Sequence, residues 1–109
     1  MDNRLDRQFA ALADPTRRAI LARLARGEAT VGELARPFGI SQPAISRHLK
    51  VLEAAGLIEG ARAAQARPRR LKAEGLAEAR AWIDGLASFW NDNFDRLDAL
   101  LGQQEGPPA

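Results

Sequence analysis

The chain contains no cysteine, so disulfides and thiolate metal ligands are excluded. Its one histidine, His48, leaves little for imidazole coordination, and no metal site is expected. Absent too is any apolar run near the roughly 20 residues needed to span a bilayer. Met1-Asp2-Asn3-Arg4 does not start a signal peptide, and the expectation is a cytoplasmic protein with no membrane partner. A nucleophile paired with a base, a metal cluster and a phosphate-cradling glycine loop are all missing, which argues against an enzyme and against a cofactor.

What is present is 109 residues, one domain's length, with 46% hydrophobic residues. The net charge of +2 conceals an uneven distribution. Residues 41–72 hold seven lysines and arginines against two glutamates, whereas residues 73–109 hold two arginines against seven acids. The first section suits a polyanion, and the second would be repelled by one.

The basic section opens within Gly39-Ile40-Ser41-Gln42-Pro43-Ala44-Ile45-Ser46-Arg47-His48-Leu49-Lys50-Val51-Leu52, a turn followed by a helix with two unlike faces. Ile45, Leu49 and Leu52 recur at i, i+4, i+7 and can bury together, leaving Gln42, Ser46, Arg47 and Lys50 outward. Ser41 is the expected N-cap, and Pro43 falls where backbone N–H groups lack intrahelical partners. Gln42 suits adenine and Arg47 guanine in bidentate base-edge readout, Ser41 and Ser46 can serve either, and Pro43 and Ala44 can meet thymine methyls. Those six are the base-contact candidates. Lys50, Arg62, Arg67, Arg69 and Arg70 are candidates for the phosphate backbone, joined by His48 and by Thr16 and Arg17 at a helix N-terminus.

Ahead of this segment, Leu5, Phe9 and Leu12 predict a short first helix over about 4–12. Asp14-Pro15 caps and starts a second, whose stripe of Ile20, Leu21 and Leu24 ends at Gly27. Thr30 and Glu33 have capping-box spacing before a short third helix, where Pro37 tightens or ends the last turn and Gly39 closes it. Two helices joined by so short a glycine-containing turn make a helix-turn-helix. The fourth helix, from about Gln42 to Ala55, stops at Gly56. Residues 57–62 and 67–72 can pair as a hairpin around a tip at 63–66 that lacks the usual glycine pair. From Glu74 to about Leu101 the pattern is one long helix, about 40 Å, whose seam of Leu76, Ala79, Ile83, Leu86, Trp90, Phe94, Leu97 and Leu101 needs a partner. Residues 102–109 have no apolar anchor and are expected to be a disordered tail, leaving 1–101 as the folded domain.

In order and spacing, Leu12-Ala13-Asp14-Pro15-Thr16-Arg17-Arg18-Ala19-Ile20-Leu21, Val31-Gly32-Glu33-Leu34-Ala35 and Ser41 to Leu52 followed by Ala55-Gly56-Leu57-Ile58 resemble the ArsR/SmtB family of bacterial winged-helix repressors. The resemblance covers nearly the whole chain. It implies a mainly α fold with a small β-hairpin wing, recognition helices in successive major grooves, and a wing against the DNA backbone or minor groove. It also implies a homodimer through the first and last helices, which makes Leu5, Phe9, Leu12, Ile83, Leu86, Trp90, Phe94, Leu97 and Leu101 the interface candidates. Metal-sensing members carry thiols where Thr30 and Gly32 stand here, or histidines and carboxylates on the final helix; this chain has Asp92, Asp95 and Asp98 there but no histidine.

The expected function is a sequence-specific dimeric DNA-binding transcriptional regulator, a repressor on a near-palindromic operator. Its partners would be double-stranded DNA and a second copy of the chain, with a small-molecule effector of unknown kind as a further candidate. The alternative is a protein-interaction scaffold whose aromatic helix docks a different chain.

Overall fold

Three side-chain caps set where the helices of the body begin. The computed structural model describes residues 3–61 and 67–105, with side chains for 4–61 and 67–102. The element order is α1 (Asn3–Leu12), α2 (Pro15–Leu24), α3 (Val31–Phe38), α4 (Gln42–Ala54), β1 (Ile58–Gly60), β2 (Arg69–Leu71) and α5 (Ala77–Glu105). Asp14 accepts from the Arg17 N–H at 3.0 Å, and Ser41 Oγ accepts from the Ala44 N–H at 3.3 Å. Between them, Thr30 and Glu33 form a reciprocal box, Oγ1 accepting from the Glu33 N–H at 3.2 Å and Oε1 from the Thr30 N–H at 3.0 Å. The Thr30 backbone N–H, and after it the Thr30 hydroxyl, hold the Glu33 carboxyl below its ordinary value.

Pro37 does not stop α3, which runs one residue further; the last turn instead tightens, the Gly39 N–H donating to the Arg36 carbonyl. Gly39 at φ +63° then supplies the left-handed residue that only glycine adopts cheaply, and Ile40 N–H returns to the Ala35 carbonyl. This turn seats α4 against α3. Ile20, Leu34, Ile45, Leu49 and Leu52 are the largest fully buried side chains, each stabilising by roughly 1.5–3 kcal/mol relative to exposure. Leu57 and Ile58 carry the same core into the hairpin.

β1 and β2 are antiparallel, pairing Ile58 with Leu71, Glu59 with Arg70 and Gly60 with Arg69. They are shorter than the six-residue runs expected, although Ala61 N–H to Pro68 and Lys72 N–H to Leu57 extend the bonding at both ends. On its other side β2 bonds Ala29, in both directions between Ala29 and Arg69, at 3.0 and 2.7 Å. The expected tip at 63–66, with Arg62, lies outside the described residues.

α1 keeps its expected span to within one residue and buries a narrow face. Gln8 and Ala11 are the buried positions, while Leu5, Phe9 and Leu12 stay half-buried. Gln8 Nε2 donates to the Gly75 carbonyl at 3.0 Å. Gly75 passes so close to the end of α4 that an added Cβ would stand 2.7 Å from the Gly56 oxygen. That turn delays α5, which starts at Ala77 and not at Glu74 and leaves Leu76 outside the helix; Gly75 N–H bonds Lys72 in a turn and its carbonyl is spent on Gln8.

From Arg80 onward α5 forms a unit of its own. It continues to Glu105, so residues 102–105, expected to be tail, are helical, and 106–109 lie outside the described residues. Trp90, Phe94, Leu97 and Leu101 are 43–55% exposed, and Phe89 and Trp90 meet edge to face at 6.3 Å. Among the described residues no helix is long and apolar enough to cross a membrane.

Candidate nucleic-acid interface

The turn at Gly39 and the cap at Ser41 present the first turns of α4 to solvent, while Ile45, Leu49 and Leu52 hold its opposite face in the core. Ser41, Gln42, Pro43 and Arg47 are exposed, with Ala44 and Ser46 half-buried between them. Ser41 spends an acceptor lone pair on the Ala44 N–H and keeps its hydroxyl proton to donate. Gln42 Nε2 lies over Gly32 of α3, 3.6 Å from where a Cβ would sit there. Arg47 and Lys50 project from the same side, and among the described residues no hydrogen bond or ion pair engages either side chain.

The cations expected to meet phosphate divide into two kinds. Lys50 is exposed, and so is Arg67, at φ +44° with its guanidinium lying over Gly60. Arg70 pairs with Glu59 directly across the hairpin at 3.0 Å, with both side chains largely exposed. Arg69 is 16% exposed and pairs with Glu53 of α4 at 2.6 Å, also donating to the Arg67 carbonyl. Arg17 turns inward: Nε donates to the Ala11 carbonyl at 2.9 Å and Nη2 to the Ala10 carbonyl at 3.1 Å, satisfying the C-terminal end of α1. Arg18 adds a bond to the Leu12 carbonyl at 2.7 Å. Arg17 and Arg69, both phosphate candidates in the sequence, are thus engaged within the protein. Arg62 lies outside the described residues.

Thr16 and His48 are half-buried beside this junction. His48 Nδ1 is 3.4 Å from Arg17 Nη1 and 4.0 Å from Asp14 Oδ2, the latter an ion pair only when the ring is protonated. The Arg17 backbone N–H, with the Arg17 charge, holds the Asp14 carboxyl below its ordinary value against the opposing effect of burial. Sequence reading missed Gln8 and the Arg17 clamp altogether, since neither partner is local to the residue that needs it. Among the described residues, no three histidine or carboxylate side chains gather around a common cation position.

Residues 12–61 match a family described as a helix-turn-helix domain. An HTH-type transcriptional regulator of Mycobacterium tuberculosis is 49% identical over 85 residues, covering 78% of this chain and 77% of that one. The crystal structure of an ArsR family transcriptional regulator superposes with a TM-score of 0.72 at 40% identity, covering 81% of this chain and 91% of that one. The solution structure of a homodimeric winged helix-turn-helix DNA-binding domain from Mycobacterium bovis, described as a possible ArsR-family regulator, gives 0.65 at 30% identity, covering 79% and 80%.

Proposed function

Because the chain belongs to the ArsR family of winged helix-turn-helix transcriptional regulators, we propose that it works as a homodimeric repressor on a near-palindromic operator. The observation that carries this reading is the division of α4 into a core face and an open face bearing Gln42, Ser46, Arg47 and unengaged Lys50. In the proposal, Ser41, Gln42, Pro43, Ala44, Ser46 and Arg47 face base edges. Lys50, Arg67 and Arg70, with Thr16 at the flank, meet phosphates; Arg62 is retained on charge alone.

The second copy supplies what α5 needs. Half-exposed Trp90, Phe94, Leu97 and Leu101 make an apolar strip of the kind that marks an interface, and the Mycobacterium bovis relative is homodimeric. With α1 contributing Leu5, Phe9 and Leu12 and α5 contributing Ile83 and Leu86 beside that strip, the two α4 helices would be related by a two-fold axis. Half-sites about one helical turn apart follow from that symmetry.

The test is selection of duplexes from a random-sequence pool by the purified chain, followed by footprinting. Two half-sites related by a dyad, protected together, are expected. Protection of a single half-site by a monomer would sink the proposal, and a chain that sediments alone as a monomer would favour a scaffold awaiting a different protein.

A further inference from the structure

Arg17 joins three elements with one guanidinium: it closes the C-terminal carbonyls of α1, belongs to the first turn of α2, and reaches the ring of His48 on α4. A guanidinium can only donate, so a hydrogen bond across this 3.4 Å contact requires the neutral His48 ring to accept at Nδ1 and carry its proton on Nε2. Asp14, capping α2 through the Arg17 N–H, is the other charged group facing Nδ1, at 4.0 Å. The contact is long for a hydrogen bond, but it spans 31 residues of sequence and is anchored at its other end by two shorter ones, 2.9 and 3.1 Å.

We infer that Arg17 is a positioning residue for DNA recognition, setting the orientation of α4 relative to the end of α1 through His48 Nδ1. The inference rests on the reading of α4 as the DNA-facing helix. It gives His48 a purpose distinct from a phosphate contact: the ring is where Arg17 reaches α4. Since α1 is also proposed to lie at the dimer interface, the tie connects the spacing of the two protomers with the tilt of each recognition helix. A few tenths of an ångström at Nδ1 would then reach the base-facing side chains, because a packed helix moves as a unit.

The experiment uses the full chain and the duplex it selects from a random pool, alongside a scrambled duplex. Arg17→Lys keeps the charge but cannot span both α1 carbonyls and His48; His48→Leu removes the acceptor. Each is expected to lose about threefold to thirtyfold in affinity for the selected duplex while changing scrambled binding by less than about twofold. The double variant should lose no more than the worse single. His48→Asn, whose amide oxygen replaces Nδ1 as acceptor, should rescue binding, and His48→Gln, whose amide reaches the Nε2 position instead, should not.

Additive losses in the double variant, or rescue by Gln and not by Asn, would overturn the inference in favour of a direct phosphate contact from His48. Should Arg17→Lys fail to fold, the Leu, Asn and Gln series at His48 decides the matter, because those variants leave the α1 closure intact. Arg47→Ala on the same two duplexes tests the underlying reading: undiminished discrimination sinks α4 as the DNA-facing helix, whereas lost discrimination with additive Arg17 and His48 effects sinks only the coupling.

Discussion

Arg69 of β2 donates to Glu53 of α4 across 2.6 Å, tying the hairpin to that helix with only 16% of the arginine side chain exposed. A residue that charge patterning assigns to phosphate is thereby consumed inside the protein.

Arg69→Met should keep the apolar stem and strand the Glu53 carboxylate. The pair is partly buried, so a loss of about 1–3 kcal/mol in urea unfolding is expected, between the values for exposed and buried pairs. Glu53→Gln should cost a similar amount and the double variant less than the sum. The slope of log affinity against log salt for DNA should stay as it is in the wild type. A drop of about one unit would show that Arg69 neutralises a phosphate after all.

Arg47 and Lys50 sit on the same open side of α4 without partners among the described residues, yet their substitutions should differ in kind. Arg47→Ala is expected to cost about 1–3 kcal/mol on the selected duplex and relax preference at one base pair, while Lys50→Ala weakens all duplexes alike and lowers the salt slope by about one. Binding curves on specific and scrambled duplexes over a salt series check both. Equal losses of Arg47→Ala on the two would contradict its assignment to a base.

Acid should loosen α3 through its cap. The Thr30 backbone and hydroxyl bonds lower the Glu33 carboxyl in the folded state from its ordinary 4.5, so Glu33 stabilises the fold above that pH and the contribution is lost as pH falls through the lowered value. Glu33→Gln keeps a side-chain oxygen for the Thr30 N–H but cannot titrate. Urea midpoints measured from about pH 5 down to about pH 3 should fall more steeply for the wild type than for this variant. Asp14, lowered in the same sense, is present in both chains and drops out of the difference. Parallel curves would remove Glu33 from the account.

Phe94→Glu places a charge in the exposed apolar strip of α5. Aromatic anchors at interface centres contribute about 2 kcal/mol or more, enough to weaken association by at least tenfold. Sedimentation at a concentration where the wild type is dimeric should find the variant monomeric, with its helical circular dichroism retained. A dimer of undiminished affinity would move the interface elsewhere.

Local rules reach far into this fold. Asp14, Thr30 and Ser41 all cap as their sequence neighbours require, and Ile45, Leu49 and Leu52 bury at the spacing that announces them. What local rules cannot supply is a partner remote in sequence. Gln8 finds the Gly75 carbonyl 67 positions away, and Arg69 finds Glu53 on another element. The six-residue spacing from Arg17 to the Ala11 carbonyl is short in sequence but crosses a helix boundary, where periodicity carries no information. The open face of α4 was legible because a helix with one apolar stripe must expose the rest; which arginines pair within the protein was not, because charge says nothing about whether an acid waits nearby in space.

The Ala29 bridge to β2 has a consequence for chain length. Since Arg69 exchanges both of its backbone bonds with Ala29, the short segment between α2 and α3 serves as an outer rail for the hairpin. An insertion there would not be absorbed as slack, as surface loops usually allow, but would unhook the root of the wing. Residues 25–30 and β2 are thus held in one register by this bridge, and a graft of one from a relative would need the other carried with it.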